Sequence, residues 1–260
     1  QSERTAAGDH SVTHIARNLI QYDVPIVPVT GPERDDAHII ACATVHKETN
    51  AGVCIRIQKD DIADSDINTD LEDLLESLDA KASDVDLVLD MDAIDRNSVT
   101  PMAMVVATFI NANDLARDAR SLTLLSGAFP ENMTSFNRGQ NQHARSDWLL
   151  WKATLSYKIR RKPAFGDYVV AHPDYTELDP RFIKMSASIR YTIRDEWFVV
   201  KGWALDHAKH GGSDQYHNLA AQIQSHAQFS GRSFSAGDAY IDDVANRKAG
   251  PGNGEKWRQH

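Results

Sequence analysis

Hydrophobic residues along the chain alternate between short β-branched runs and segments with helical spacing. The runs predict strands at residues 24–29, 53–57, 85–90, 122–125 and 168–171. Helical spacing predicts helices at residues 34–45, 71–78, 101–116 and 143–157. The segment LEDLLESL, residues 71–78, spaces its leucines by three or four positions and is typical of an amphipathic helix.

This alternation predicts right-handed βαβ units and therefore a parallel sheet. The strands look apolar on both faces, as expected for a sheet that helices cover on both sides. The pattern alone leaves open a barrel and an open doubly wound sheet. Residues 187–192 and 197–201 depart from it, because their short polar linker predicts a β-hairpin. Two further helices are predicted at residues 213–224 and 237–246.

Composition indicates an ordinary globular protein. The 260 residues are 42% hydrophobic and 25% charged, which excludes wholesale disorder. A net charge of −9 argues against a general nucleic-acid coat and still allows a local basic groove. Cys42 and Cys54 do not form a disulfide framework. The longest apolar run, residues 101–110, is too short for a membrane helix, and no secretory signal is visible, so we expect a cytoplasmic protein without membrane contact.

Several short strings, in a fixed order, connect the chain to a known family. They are FGDY at 165–168 with His172-Pro173 after it, IRYT at 189–192, WFVVKG at 197–202, GSDQY at 212–216, FSG at 229–231, Gly237-Asp238, and Gly252-Asn253 before Trp257-Arg258. In this order they resemble the beta protein family, which occurs in bacteria, phages and other mobile elements. The resemblance runs from about Pro25 to Trp257 and is densest in the C-terminal third.

The resemblance implies a (β/α)8, TIM-barrel-like fold that is longer than this chain. Residues 1–260 would then be a single α/β barrel-like domain, truncated at both ends, with the hairpin near its C-terminal strands. The family brings no assigned activity to carry over. Its context of phages, mobile elements and defence systems describes where such proteins occur and gives no mechanism.

In a barrel, functional groups gather at the C-terminal ends of the strands. The residues at those ends are Thr30, Gln58, Lys59, Asp90, Asp92, Ser126, His172 and Lys201. His172 suits proton transfer, with Asp90 orienting it. Arg56 and Arg190 lie inside strands, where a buried arginine needs a carboxylate partner, and Asp90 is a candidate for one of them. We therefore predict catalytic roles for His172, Asp90 and Arg190, and ligand contacts for Arg56 and Lys201.

The loop after the last strand is a second candidate. Lys209 and His210 precede Gly211 and Gly212, and Ser213 could cap the next helix. Glycines let backbone N–H groups approach an anion closely, and a helix start favours negative charge. The plainer alternative is a diglycine turn with a serine cap.

Metal sites have weaker support. Asp90 and Asp92, with Asp95 beyond, could hold Mg²⁺ through oxygen ligands or could simply be capping and solvated acids. The spacing of His207, His210 and His217 matches no closed zinc site. The sequence identifies no cofactor.

Residues 138–162 gather basic and aromatic side chains: Arg138, Arg145, Trp148, Trp151, Lys152, Tyr157, Lys158, Arg160, Arg161 and Lys162. Such a surface can stack bases and neutralise phosphates, and it can equally be the solvated side of an amphipathic helix.

Three functions follow from these features. The first is a barrel enzyme that binds or hydrolyses a phosphorylated small molecule or a nucleic acid. The alternative is a non-catalytic binding or regulatory module of a phage or anti-phage defence system, holding a partner protein. The third is direct nucleic-acid binding through residues 138–162.

Overall fold

The computed structural model describes residues 4–5, 8–169, 172–174 and 185–252. The chain divides into two compact units, one of Gln1–Ser126 with Asp147–Asp167 and one of Gly127–Ser146 with Tyr168–His260. The first, the parallel-sheet unit, has a five-stranded sheet, and the second, the antiparallel-sheet unit, has a separate three-stranded sheet.

The predicted (β/α)8 barrel is therefore wrong. The five-stranded sheet has two edge strands, Val29–Thr30 and Ala164–Asp167, and in the described part of the chain no strand joins them. Strand–helix alternation specifies parallel neighbours but not closure, and the later strands pair in antiparallel fashion in their own sheet.

Five strands form the parallel sheet. They are β1 Val29–Thr30, β2 Val53–Gln58, β3 Val85–Ala93, β4 Ser121–Gly127 and β6 Ala164–Asp167. Ile55 lies beside Leu87 in the β2–β3 ladder, and Leu125 lies beside Gly166 in the β4–β6 ladder. β1 is short because Pro25 and Pro28 lack the N–H that a strand ladder uses.

Helices of this unit alternate with the strands. They are α1 Ser11–Ile20, α2 Asp36–Thr49, α3 Lys59–Ile62, α4 Ile67–Leu78, α5 Val99–Ala112, α6 Asp114–Asp118 and α7 Ser146–Ser156. Asp35 caps α2 by accepting the N–H of His38 at 2.9 Å. Asn113 splits the helix predicted at 101–116, because its side chain accepts the N–H of Ala116 and starts α6.

Only one face of the parallel sheet carries the hydrophobic core. Ile55 and Leu87 are fully buried on that face and belong to the cluster formed with α4 and α5. Of the alternate positions, Arg56 and Asp86 are half-buried, and Asp90 is a buried polar residue. The expectation of strands apolar on both faces is thus wrong, and the second face is partly polar.

The antiparallel-sheet unit contains β5 Gly139–Ala144, β7 Ser186–Ile193 and β8 Glu196–Ala204, in the order β5-β8-β7. The predicted hairpin is confirmed as β7–β8, with Arg194 in its turn at φ 48°. Helices α8 Gln215–Gln224 and α9 Ala236–Ala245 follow. One sheet face, including Ile189 and Val200, packs in a core with residues of both helices.

The other face of this sheet carries Trp197 and Val199, which pack with Phe129 and Phe136. Within the described ranges, no helix combines the length and the apolar character that crossing a bilayer would need.

Candidate functional site

Arg56 and Asp90 form an ion pair at the carboxyl ends of β2 and β3. The Arg56 Nε and one terminal nitrogen each lie 2.6 Å from Asp90 Oδ2. The Asp90 side chain is 1% exposed, whereas 37% of the Arg56 side chain is exposed. Asp90 Oδ1 also accepts the N–H of Asp92 at 2.9 Å. The carboxylate that the sequence suggested for Arg56 is confirmed, and both of its oxygens serve this local structure.

The other strand-end residues divide between the two faces. Lys59 lies 3.6 Å from Asp92, and both side chains are substantially exposed. Thr30 aligns with the fully buried Ile55, and Ser126 alternates in phase with Leu122 and Leu124, so both point to the helix-covered face. They therefore do not lie on the same face as Arg56.

Among the described residues, no group of three or more His, Cys, Asp or Glu side chains is arranged to hold a metal ion.

In the antiparallel-sheet unit, Arg190 and Lys201 support the fold. The Lys201 ammonium donates to the carbonyl oxygens of Met133 at 2.7 Å and Phe136 at 2.9 Å. The Arg190 guanidinium lies 4.0 Å from the centre of the Phe129 ring. Both contacts hold the segment before β5 against the sheet.

His172 belongs to this unit as well, whereas Asp90 belongs to the parallel-sheet unit. The Nδ1 atom of His172 accepts the N–H of Asp174 at 3.1 Å and lies 3.7 Å from the Asp174 carboxylate. The local partner of the imidazole is therefore Asp174, a residue that the sequence did not single out.

The diglycine turn does not offer its N–H groups to an anion. Gly211 donates to the carbonyl oxygen of His207 and Gly212 to that of Leu205, each at 2.8 Å. The predicted Ser213 cap is wrong, because α8 is preceded by Asp214 and has no side-chain cap bond. A Cβ on Gly211 would lie 2.5 Å from the Leu205 oxygen, so the turn requires glycine there.

The same turn brings the rings of His207 and His210 to Trp203, which Arg138 also contacts. The Arg138 guanidinium lies 3.7 Å from the ring centre of Trp203 at the end of β8. The His210 ring stacks on Trp203 at 4.7 Å and 22°, and the His207 ring lies 4.4 Å away at 48°. We call Arg138, Trp203, His207, Lys209 and His210 the Trp203 cluster.

The Trp203 cluster is exposed and positively charged. Arg138, Lys209 and His210 are exposed, and Trp203 and His207 are half-buried. Over the ranges that the structure describes, neither Arg138 nor Lys209 has a carboxylate within ion-pair distance. A cluster with two uncompensated cations is a local exception on a chain of net charge −9.

The rest of the basic stretch at 138–162 has other roles. Trp148 and Trp151 stack on each other at 4.8 Å and contact Phe165 edge-on, and the Trp151 indole donates to the Pro163 carbonyl. The Arg161 guanidinium donates to the backbone oxygens of Arg117, Ala119 and Arg120. These aromatic rings pack against one another within the parallel-sheet unit, whereas Arg138 and Arg145 belong to the antiparallel-sheet unit.

Three of the short strings that carry the family resemblance meet at Tyr191. Its hydroxyl donates to Asp238 at 2.6 Å and accepts the N–H of Ser230 at 3.0 Å. Asp238 is 5% exposed and bonds the Ser235 hydroxyl, which caps α9. The strings IRYT, FSG and Gly237-Asp238 therefore share a buried network that holds the fold together.

Gln215, from the string GSDQY, has a similar structural role. Its side chain accepts the N–H of Trp203 and donates to the oxygen of Gly212, both at 2.8 Å. It lies where a Cβ on Gly202 would collide with it, at 2.3 Å. This bridge ties the end of β8 to the start of α8 and so places the Trp203 cluster.

The sequence contains recognisable patterns for most residues of the Trp203 cluster, but it does not indicate that these residues meet. Arg138 was assigned to the basic stretch and Lys209 and His210 to the diglycine loop, while Trp203 received no role. Their meeting depends on the pairing of β5 with β8, where Gly139 lies beside Lys201. The residues of β5, GQNQHA, contain no apolar alternation that could have predicted this pairing.

A comparison with protein families finds one match, to the family described as Beta protein, over residues 1–260. No curated protein and no solved structure matches the chain.

Proposed function

The chain belongs to the beta protein family, and from this premise we propose that it is a non-catalytic binding module for single-stranded nucleic acid. The Trp203 cluster is the contact site. The observation that carries the proposal is the exposed Arg138 guanidinium stacked 3.7 Å above Trp203, next to the exposed Lys209 and His210. A role of the protein in phages or anti-phage defence, and its location in the cytoplasm, stay predictions from the sequence.

The chemistry of the cluster suits this class of ligand. Proteins that bind single strands combine cations that neutralise the phosphates with planar side chains on which bases stack. Arginine and histidine planes both serve as stacking surfaces. Arg138 and His210 supply exposed planar groups, and Lys209 supplies a point charge beside them.

Binding without catalysis is favoured because Asp90 and several of the groups considered as ligand contacts have structural partners. Asp90 holds Arg56 and the N–H of Asp92. Lys201 holds two carbonyl oxygens, and the N–H groups of Gly211 and Gly212 close their own turn. A general acid or base needs a side chain that can reach the proton of a bound substrate within hydrogen-bond distance.

The test is the fluorescence anisotropy of a short labelled oligothymidylate titrated with the protein. We expect saturable binding that weakens as salt concentration rises, because phosphate contacts release counterions. Arg138→Gln should weaken binding about tenfold and make it less sensitive to salt.

Arg194→Gln is the matched control. Arg194 is exposed in the β7–β8 turn of the same unit, and its substitution removes the same charge. We expect its affinity to stay within about twofold of wild type. Equal losses in the two variants would mean that net charge alone drives binding, and the absence of saturable binding would reject the proposal. Hydrolysis of the oligonucleotide or of a nucleotide that is lost in His172→Ala would favour the enzyme instead.

A further inference from the structure

The turn that carries Lys209 and His210 is held by the side chain of His207. Its Nδ1 atom lies 3.3 Å from the backbone nitrogen of Lys209 and 3.1 Å from that of His210, and accepts both N–H groups. The His207 carbonyl oxygen accepts the N–H of Gly211. His207 therefore binds the backbone N–H groups of three consecutive residues of the turn, Lys209, His210 and Gly211.

We infer that His207 is a positioning residue for the ligand site, and that it positions Lys209 and His210 only as the neutral imidazole. The inference rests on the proposed function, because it concerns how that site is kept in its binding geometry. His207 is half-buried against Trp203, so the side chain is fixed at the base of the cluster.

The restriction to the neutral form follows from the hydrogen bonds. A ring nitrogen that accepts an N–H carries no proton, so the neutral ring has its proton on Nε2. Protonation places a second proton on Nδ1, which then faces two N–H donors. Both bonds are lost, and the turn keeps its backbone bonds at Gly211 and Gly212 but loses the side-chain contact that fixes Lys209 and His210.

The charges around His207 come from every adjoining element. Arg138 lies beyond Trp203, and Lys209 and His210 lie on the turn itself. Asp206 precedes His207, and Asp214 precedes α8, both with exposed side chains. A proton on Nδ1 of His207 would release the turn, and His210 is the other imidazole of the cluster, with its ring 5.3 Å from that of His207.

The test compares pH profiles of oligothymidylate binding from about pH 8 to about pH 5, the range in which imidazoles titrate. Wild-type affinity should fall about fivefold on acidification. His207→Asn keeps an acceptor, because the amide oxygen can bond the same N–H groups without titrating. Its affinity should match wild type at about pH 8 and hold or rise towards about pH 5. His207→Ala should bind weakly throughout.

His226→Asn is the control, because His226 Nδ1 accepts the N–H of Gln228 at 3.1 Å in the same unit and lies outside the cluster. It should keep the wild-type profile. Identical profiles for wild type and His207→Asn would overturn the inference.

A second measurement needs no ligand. The amide proton shifts of Lys209 and His210 should move together with the titration of His207 in the wild type, and should not in His207→Asn. Amide shifts that ignore His207 would also overturn the inference. Failure of oligothymidylate binding with coupled amide shifts would reject the proposed ligand and leave the turn mechanism in place.

Discussion

The guanidinium carbon of Arg138 lies over the indole of Trp203, 3.7 Å from the ring centre. The two residues are far apart in the chain and meet because β5 pairs with β8. Cation–aromatic contacts at exposed positions contribute about 0.5–1 kcal/mol. A contact of this size can hold the two groups together before a ligand binds, and it can still yield when a further planar group stacks on them.

Gly211→Ala should disrupt the turn that carries Lys209 and His210. A Cβ at this position would lie 2.5 Å from the Leu205 oxygen and 2.6 Å from the His207 oxygen, so the backbone must move. We expect a lower melting temperature and an oligothymidylate affinity reduced by about tenfold or more. Gly250→Ala is the control, since no atom lies within 4 Å of its added Cβ. Equal affinities of the two variants would show that the turn does not shape the site.

Asp90→Asn should reduce stability because it removes the charge that holds Arg56. The Asp90 carboxylate is 1% exposed, and its loss leaves a half-exposed guanidinium facing an amide. We expect the free energy of unfolding to fall by about 2 kcal/mol in urea denaturation.

Asp92→Asn offers the comparison for Asp90. Asp92 is 38% exposed and lies 3.6 Å from Lys59, a surface pair that contributes about 0–1 kcal/mol. Oligothymidylate affinity should stay unchanged in both variants when they are folded. If Asp90→Asn cost no more than Asp92→Asn, the buried pair would not be a stabilising element.

The Tyr191–Asp238 contact should make the free energy of unfolding depend on pH in the alkaline range. Burial and the hydrogen bond to Asp238 raise the pKa of Tyr191 above its ordinary value of 10.0. The folded state then keeps the proton at a pH at which the unfolded chain releases it. This contribution is complete below about pH 10 and is lost as the pH rises through the folded pKa.

Tyr191→Phe should remove part of this dependence and also cost about 1 kcal/mol at neutral pH, because a buried hydrogen bond is lost. The measurement is urea unfolding at a series of pH values from neutral to alkaline. A wild-type slope above about pH 10 that the substitution leaves unchanged would contradict the assignment to Tyr191.

Both cysteine thiols should resist modification in the folded protein. Burial raises the pKa of Cys42 and of Cys54 to about 11 each, so little thiolate exists at about pH 8. We expect a chromogenic disulfide reagent to react with both thiols rapidly in urea and slowly without it. Rapid labelling of the native protein would show that these side chains are more open than the structure has them.

The sequence predicted local elements where one periodicity dominates. The leucines of α4 and the alternating residues of β2 and β3 bury one face, so the elements and their approximate bounds followed from spacing. The strand that pairs with β4 is AFGD at residues 164–167, which has only one large apolar side chain. The sequence predicts a strand at residues 168–171 instead, and residues 170 and 171 lie outside the described residues.

Whether the sheet closes into a barrel, and which residues form the Trp203 cluster, depend on contacts that the spacing of hydrophobic residues does not encode. Whether parallel strands form a barrel depends on which edges pair, and the polar β5 gave no signal of its antiparallel partner. The Arg56–Asp90 pair could be predicted because an arginine in a strand is costly to bury alone. The Trp203 cluster could not, because its members come from two segments whose pairing is a property of the fold.

The central claim is that the Trp203 cluster contacts the nucleic acid, and the nitrogen–proton NMR spectrum of the indole groups tests it most directly. The chain has five tryptophans, and Trp203→Phe assigns the signal of Trp203. On addition of oligothymidylate we expect the Trp203 signal to shift and the signals of Trp148 and Trp151 to stay in place. A shift at Trp148 or Trp151 with Trp203 unmoved, or no shift at any indole, would contradict the account.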